Sequence, residues 1–217
     1  MRVKICGITN LEDALTCQEL GADALGFIFY NKSKRFIPPA KAAEIVRNLS
    51  PFIMKVGVFV NESPEIINQI ADDVKLNAVQ LHGEESPEFL KMIPFQVIKS
   101  FRINNGFDFS ILDNYKNAWY LFDSFSEKEY GGTGKSFNWN IIPEDIRSKI
   151  ILAGGVSSDN ITEIYHKIKP AAVDISSSLE LEPGKKDKGK VEQFFNIINH
   201  FKPEADQPLA GRRQKWL

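Results

Sequence analysis

The chain has 217 residues, of which 43% are hydrophobic and 25% charged, and its formal charge at pH 7 is −1. This composition is typical of a soluble globular protein, and the length is sufficient for one large domain with a buried core. A charge so close to zero gives no general attraction for nucleic acid or for an anionic membrane surface, so we expect neither as a partner.

The cysteine content and the apolar runs predict the compartment. Two cysteines make no disulfide framework, and the three histidines give no spacing typical of a zinc site, so no metal is expected. The amino terminus lacks the apolar stretch of a signal peptide, and the longest uncharged apolar run, 24–30, is too short to span a bilayer. A cytoplasmic protein is therefore predicted.

Short β-rich runs alternate with amphipathic stretches along the whole chain. The predicted strands are 2–6, 24–30, 53–60, 78–82, 95–101, 118–123, 149–154 and 171–176. The predicted helices are 11–21, 39–49, 63–74, 86–93, a weak one at 108–115, a short one near 138–147, 159–168 and 190–201. Most of the strands are apolar rather than alternating, as expected for a parallel sheet that helices cover.

Eight strand–helix units predict an α/β fold, a (β/α)₈ TIM barrel that forms a single domain over residues 1–201. A doubly wound open sheet is the second interpretation, because it has the same alternation of strands and helices. Residues 202–217 follow the last predicted helix and are expected to form a mobile C-terminal extension.

Polar and small residues concentrate where the predicted strands end. In a barrel of this type the chemistry lies at the carboxyl ends of the strands and in the loops that follow. The residues at those positions are Cys6, the basic loop 31–37 with Arg35, His82, Asp123, Gly154, Gly155, Asp174, Ser176 and Ser177. The sequence therefore predicts one site at the mouth of the barrel.

Cys6 ends the first strand and is the first candidate catalytic group. Strand alternation places Lys4 and Cys6 on the face that points into the barrel, away from the helices. A nearby ammonium lowers the pKa of a thiol, so Cys6 is predicted to act as a base or nucleophile near neutral pH. The alternative is a small packed residue, which is how we interpret Cys17 in the first helix.

Asp123 ends a strand that should be buried, on the same face as Trp119 and Leu121. Burial there favours the protonated carboxyl, which suits a general acid, whereas a structural cap for the next loop is the alternative. Asp174 is expected to orient a loop or bind a substrate hydroxyl. His82 is expected either to contact substrate or to make a structural hydrogen bond.

Two loops of small residues predict a phosphate site. Gly154 with Gly155, and Ser176 with Ser177, follow the last two strands, where barrels commonly bind phosphate through backbone N–H groups. The charged run 184–190 could assist this site electrostatically, but a run of charges is usually a solvated loop, and we interpret it as one. The stretch 129–137 contains Gly-Lys-Ser but lacks the first glycine of a nucleotide-binding loop, so it is predicted to be a lid over the site.

In this order, the stretches KICGIT, GADALGFIFYNKSKRFI, VGVFVNE, QLHGEE, LFDS…GGTGKSFNW, LAGGV…N and VDISSSLE…PGKKDKGK resemble the phosphoribosylanthranilate isomerase family over residues 3–200. The resemblance implies a (β/α)₈ enzyme without cofactors, monomeric or homodimeric. Such enzymes convert N-(5-phosphoribosyl)anthranilate to 1-(2-carboxyphenylamino)-1-deoxyribulose 5-phosphate by an Amadori rearrangement.

The same resemblance implies roles for individual residues. Asp123 is expected to be the general acid that opens the furanose ring, Cys6 the general base at C2′, and Arg35 the partner of the anthranilate carboxylate. One position departs from the family, which usually has glycine where this chain has Ser178, and that puts the shape of the phosphate loop in question.

Three other functions are alternatives. Indole-glycerol-phosphate synthase has a similar barrel but would need lysine and glutamate catalysts. A bifunctional isomerase of histidine biosynthesis would have aspartate in place of Cys6. A non-catalytic barrel that binds a phosphorylated ligand would need neither Cys6 nor Asp123.

Overall fold

The computed structural model describes residues 1–124 and 138–201, and it contains a closed barrel of eight parallel strands in chain order. The strands are β1 (Arg2–Cys6), β2 (Ala24–Ile28), β3 (Met54–Phe59), β4 (Ala78–Leu81), β5 (Gln96–Ile103), β6 (Trp119–Ser124), β7 (Ile150–Leu152) and β8 (Ala172–Ile175). The prediction of a TIM barrel is confirmed, and the open sheet was wrong because β1 pairs with β8. The predicted lid and the predicted C-terminal extension lie outside the described residues.

The crossover segments are regular helices in the first half of the barrel and shorter or irregular in the second. The α-helices are α1 (Leu11–Leu20), α2 (Pro39–Val46), α3 (Pro64–Val74), α4 (Pro87–Leu90), α5 (Glu144–Arg147), α6 (Ile161–Glu163) and α7 (Lys188–His200). Short 3₁₀ turns span Phe109–Tyr115, Trp139–Ile141 and Ser177–Leu179, and α6 continues as a π-turn over Ile164–Ile168.

Local sequence signals explain several helix boundaries. Ser63 precedes proline at the start of α3 and accepts a hydrogen bond from the Ile66 N–H, whereas Ser86 at the start of α4 makes no such bond. Helix α4 is shorter than predicted, and Pro94 disfavours helical backbone in the residue before it. Gly21 ends α1 with a φ of 110°.

The barrel interior is apolar at one end and polar at the other. The apolar end is filled by Ala24, Val56, Ala78, Ile98, Leu121, Ile151 and Ala172. Two residues further along three of these strands lie the buried polar groups Gln80, Ser100 and Asp123, and β1 adds a fourth, Lys4. A packed floor therefore supports a polar mouth at the carboxyl ends of the strands.

An antiparallel hairpin after β8 was absent from the prediction. It consists of β9 (Glu180–Glu182) and β10 (Lys185–Lys186), joined through Gly184 at a φ of 87°. The interpretation of 184–190 as a solvated loop was wrong for Lys186, which is only 5% exposed. The hairpin directs this side chain inward, toward partners that are distant in sequence.

Candidate active site

One cavity lies at the carboxyl ends of the strands, and all the predicted site residues except Lys4 line it. They are Cys6, Arg35, His82, Asp123, Gly154, Gly155, Asp174, Ser176 and Ser177. The lining also includes apolar side chains such as Ile28, Val58 and Ile175. A thiol, carboxyl groups and a guanidinium thus share a partly apolar cavity, the setting in which polar groups interact most strongly.

Lys4 lies buried next to Cys6 and is paired with Asp174. Strands β1 and β8 are neighbours with these two residues opposite each other, and the Lys4 ammonium is 2.9 Å from both carboxylate oxygens. Burial alone would lower the pKa of Lys4, but Asp174 and Cys6 outweigh it and the pKa is raised. Lys4 therefore keeps its positive charge beside the thiol.

The prediction of a lowered thiol pKa was wrong. Burial raises the pKa of Cys6, and the opposing effect of the Lys4 ammonium only partly offsets it. The glycine at residue 26 leaves room for both the thiol and the ammonium. A Cβ there would lie 2.7 Å from Cys6 Sγ and 3.1 Å from Lys4 Nζ.

We expect alkylation of Cys6 to be slow at neutral pH and to accelerate well into the alkaline range. Because the pKa is raised, the thiolate fraction should rise by about tenfold per pH unit below that pKa. Iodoacetamide labelling across pH, followed by peptide mass spectrometry, measures this. Cys17 serves as the internal control, since its pKa is raised to about 12 and its side chain lies in the core. A Cys6 rate that levels off below the ordinary thiol pKa of about 8.5 would contradict the assignment.

Asp123 faces the cavity from the end of β6 and is held by its neighbours. Its Oδ1 accepts a hydrogen bond of 2.8 Å from the Ser124 N–H, and its Oδ2 lies 3.5 Å from Nε2 of His82. The expected packing against Trp119 was wrong, because that residue sits at the opposite end of β6 and is 52% exposed. The carboxyl group is nevertheless buried.

His82 is fixed on one side of its ring and faces the site with the other. Its Nδ1 lies 2.9 Å from Nε2 of Gln80, which also donates to Ser100 Oγ at 3.2 Å. Its buried Nε2 makes no hydrogen bond within the described residues. The predicted structural contact is present at Nδ1, and the predicted contact with substrate stays a prediction for His82, which lines the cavity.

Arg35 contributes a guanidinium to the cavity from the loop after β2. Its Nε lies 2.9 and 3.0 Å from the two carboxylate oxygens of Glu180, and its Nη2 is 2.7 Å from Oε2. The aliphatic stem passes over Gly7, where a Cβ would lie 2.7 Å from Arg35 Cδ. The position of Arg35 thus depends on the hairpin and on the loop that follows Cys6.

The loops after β7 and β8 are linked to each other and to β1. Gly154 and Gly155 both have a φ of 74°, a conformation that favours glycine. Ser176 Oγ donates to the Cys6 carbonyl at 3.0 Å, and Ser178 Oγ donates to the Val156 carbonyl at 2.6 Å. Ser178 is not among the described non-glycine residues with positive φ, so the serine fits its backbone without strain.

The family model of N-(5'phosphoribosyl)anthranilate (PRA) isomerase matches residues 3–197. The chain belongs to the phosphoribosylanthranilate isomerase family. Members are aldose–ketose isomerases of tryptophan biosynthesis, and the chain is an enzyme of this class.

Individual members of the phosphoribosylanthranilate isomerase family are similar over nearly the whole chain. The N-(5'-phosphoribosyl)anthranilate isomerase of Trichlorobacter lovleyi is 48% identical over 197 residues, 90% of this chain and 96% of that protein. The crystal structure of the Thermotoga maritima enzyme is 43% identical with a TM-score of 0.84, over 92% of this chain and 99% of that one.

A third comparison concerns a bound ligand. A phosphoribosyl anthranilate isomerase in complex with reduced 1-(o-carboxyphenylamino)-1-deoxyribulose 5-phosphate is 44% identical with a TM-score of 0.80. It covers 90% of this chain and 97% of that one.

In this chain, no helix within residues 1–124 and 138–201 has the length and apolar character needed to cross a membrane. The same residues contain no cluster of three or more acidic, histidine or cysteine side chains suited to a metal ion.

Sequence reasoning missed three polar residues around this site: Gln80, Glu180 and Lys186. Gln80 interrupts an apolar strand and shares a face with His82, which is a signal that strand alternation could have detected. Glu180 and Lys186 lie in a run of charges typical of a solvated loop, and only the tertiary structure shows that they are buried.

Proposed function

We propose that this chain converts N-(5-phosphoribosyl)anthranilate to 1-(2-carboxyphenylamino)-1-deoxyribulose 5-phosphate, with Asp123 as general acid and Cys6 as general base. The observation that carries the proposal is that these two buried groups face one cavity, which two small-residue loops also line. The substrate is thus a small phosphorylated molecule. The two buried, unpaired thiols are compatible with a reducing compartment, and we place the reaction in the cytoplasm.

The first step is opening of the ribose ring. Asp123, as general acid, donates a proton to the furanose oxygen, the bond from C1′ to that oxygen breaks, and the nitrogen lone pair forms a protonated Schiff base. The Ser124 N–H already contacts Asp123 Oδ1 and stabilises the carboxylate that results. His82 Nε2, 3.5 Å from Oδ2, is a second group positioned toward that developing charge.

The second step is removal of the C2′ proton. The Cys6 thiolate takes this proton, and the electron pair moves into the iminium to give an enolamine, which tautomerises to the ketose. The cationic Schiff base and the charged Lys4 both favour the thiolate while the substrate is bound. One proton is added to the ring oxygen and one leaves C2′, so the reaction is a net isomerisation.

The remaining site residues fit the two ends of this substrate. Arg35 offers a guanidinium for the anthranilate carboxylate, because the planar array of N–H groups in a guanidinium matches the two oxygens of a carboxylate. Gly154, Gly155, Ser176 and Ser177 form the loops for the phosphate, and Asp174 is placed to accept a hydrogen bond from a ribulose hydroxyl.

Turnover of the anthranilate substrate tests this proposal. We expect the purified chain to abolish the fluorescence of phosphoribosylanthranilate in the presence of a chelator and to form an isomer of identical mass. The indole-glycerol-phosphate synthase alternative predicts loss of carbon dioxide from the ketose product instead. A non-catalytic barrel predicts binding without fluorescence change, and either of these results would contradict the proposed function.

A further inference from the structure

Arg35 belongs to an ionic cluster whose other two members are buried behind the cavity and have no role in the proposed function. It consists of Glu180, Arg35 and Lys186, and we call it the Glu180 cluster. The Lys186 ammonium is 2.9 Å from Glu180 Oε1, the same oxygen that Arg35 Nε contacts at 2.9 Å, and Arg35 Nη2 is 2.7 Å from Oε2. The side chains of Glu180 and Lys186 are 4% and 2% exposed, and neither residue lines the cavity.

The Glu180 cluster connects the separate parts of the site. Lys186 Nζ also donates to the Cys6 carbonyl at 2.7 Å and lies 3.4 Å from the Ser176 carbonyl. Through Lys186, Glu180 is therefore linked to the base and to the phosphate loop, and through its own oxygens it is linked to Arg35. Burial would raise the pKa of Glu180, but the contacts from Arg35 and Lys186 outweigh this and lower it, so the carboxylate stays charged.

The geometry of the guanidinium gives this carboxylate a specific consequence. A guanidinium is planar and rigid, so a carboxylate that binds the Nε–Nη2 edge also fixes the plane in which the other N–H groups project. Arg35 lines the cavity while Glu180 lies behind it. The carboxylate is thus placed to hold the arginine, and the arginine to meet the ligand.

We propose that Glu180 is a positioning residue that aims the Arg35 guanidinium at the carboxylate of the anthranilate ring, an inference that rests on the proposed function. Glu180 does not touch the substrate itself. It holds the guanidinium in one orientation through three contacts, and so lowers the entropic cost of binding the substrate's carboxylate.

An effect of charge alone and a positioning role predict opposite changes in the affinity for the anthranilate carboxylate when Glu180 is neutralised. The Glu180 cluster has two positive groups and one negative group, so neutralising Glu180 increases the positive charge near the cavity. If charge alone decided affinity, the Glu180→Gln variant would bind an anionic ligand more tightly. If positioning decides it, the same variant binds the carboxylate more weakly.

The experiment uses two ligands that differ only in the carboxylate. They are reduced 1-(o-carboxyphenylamino)-1-deoxyribulose 5-phosphate and the corresponding phenylamino compound, each titrated calorimetrically into wild type and Glu180→Gln. We expect the variant to bind the carboxylate ligand about tenfold more weakly, the loss of roughly one charge-assisted hydrogen bond, and the phenylamino ligand almost as well as wild type. Glu182→Gln, at an exposed position of the same strand, is the matched control and should change neither affinity.

Two further variants keep the test decisive. If Glu180→Gln does not fold, Glu180→Asp retains the charge but shortens its reach, and a selective loss for the carboxylate ligand is again expected. In an Arg35→Met background, neutralising Glu180 should have no further effect on the carboxylate ligand, because the pair acts as one unit.

Equal weakening of both ligands, or tighter binding of the carboxylate ligand by Glu180→Gln, would overturn the positioning role. These outcomes are distinct from failure of the proposed function. That failure would appear in the wild type, as an absence of turnover of phosphoribosylanthranilate.

Discussion

The Asp123→Asn variant is expected to lose about 10²- to 10⁴-fold in kcat for phosphoribosylanthranilate, the usual contribution of a positioned general acid. The amide has the shape of the carboxyl group and can still accept the hydrogen bond from the Ser124 N–H. It has no acidic proton to give to the ring oxygen, so ring opening is the step that suffers. Steady-state fluorescence assays measure kcat and KM separately.

The split between kcat and KM distinguishes catalysis from structure in this variant. Because Asp123 acts on the transition state, KM should stay near the wild-type value while kcat falls. The control is Asp113→Asn, a carboxylate whose side chain is 77% exposed on the outside of the barrel, and it should leave both constants unchanged. An Asp123→Asn variant with wild-type kcat would remove this residue from the mechanism.

The Cys6→Ala variant is expected to lose about 10²- to 10⁴-fold in kcat as well, because it removes the base at C2′. The substitution creates little disturbance of the barrel, since the Cys6 backbone carbonyl and not its thiol holds the contacts with Ser176 and Lys186. Rapid mixing with excess enzyme measures the chemical step directly, and thermal unfolding shows whether the variant is folded.

Cys17→Ala provides the comparison for that result. This second thiol is fully buried in the hydrophobic core and is not part of the cavity lining, so its loss should reduce stability and leave the chemical step intact. If a folded Cys6→Ala variant converts substrate as fast as Cys17→Ala does, the base must be another group.

The strands could be predicted from sequence because each is a short apolar run with its own turn signals. Their order followed as well, since alternating strands and helices leave few topologies. The helices of the second half were less predictable. Segments such as Phe109–Tyr115 form 3₁₀ turns because their helical pattern is weak, and tertiary packing decides their conformation.

The mouth residues were predictable for the same topological reason, because every parallel strand delivers its last residue to one face of the barrel. The raised pKa of the Cys6 thiol could not be predicted in this way. The sequence places Lys4 two residues away, but the burial of the thiol and the pairing of Lys4 with Asp174 are properties of the packed structure. Glu180 and Lys186 were missed because they contact residues that are distant in sequence. Arg35 is 145 residues from Glu180, and Cys6 is 180 residues from Lys186.

Turnover by two double variants in one fluorescence assay tests the central claim most directly. The Cys6→Ala/Asp123→Asn variant lacks both proposed catalytic groups, whereas Cys17→Ala/Asp113→Asn has the same two chemical changes away from the cavity. We predict that wild type and Cys17→Ala/Asp113→Asn consume phosphoribosylanthranilate. With Cys6→Ala/Asp123→Asn, which should remain folded, the substrate fluorescence should decrease only at the uncatalysed rate. Equal turnover by the two variants, or none by the wild type, would contradict the assignment of this site to the isomerisation.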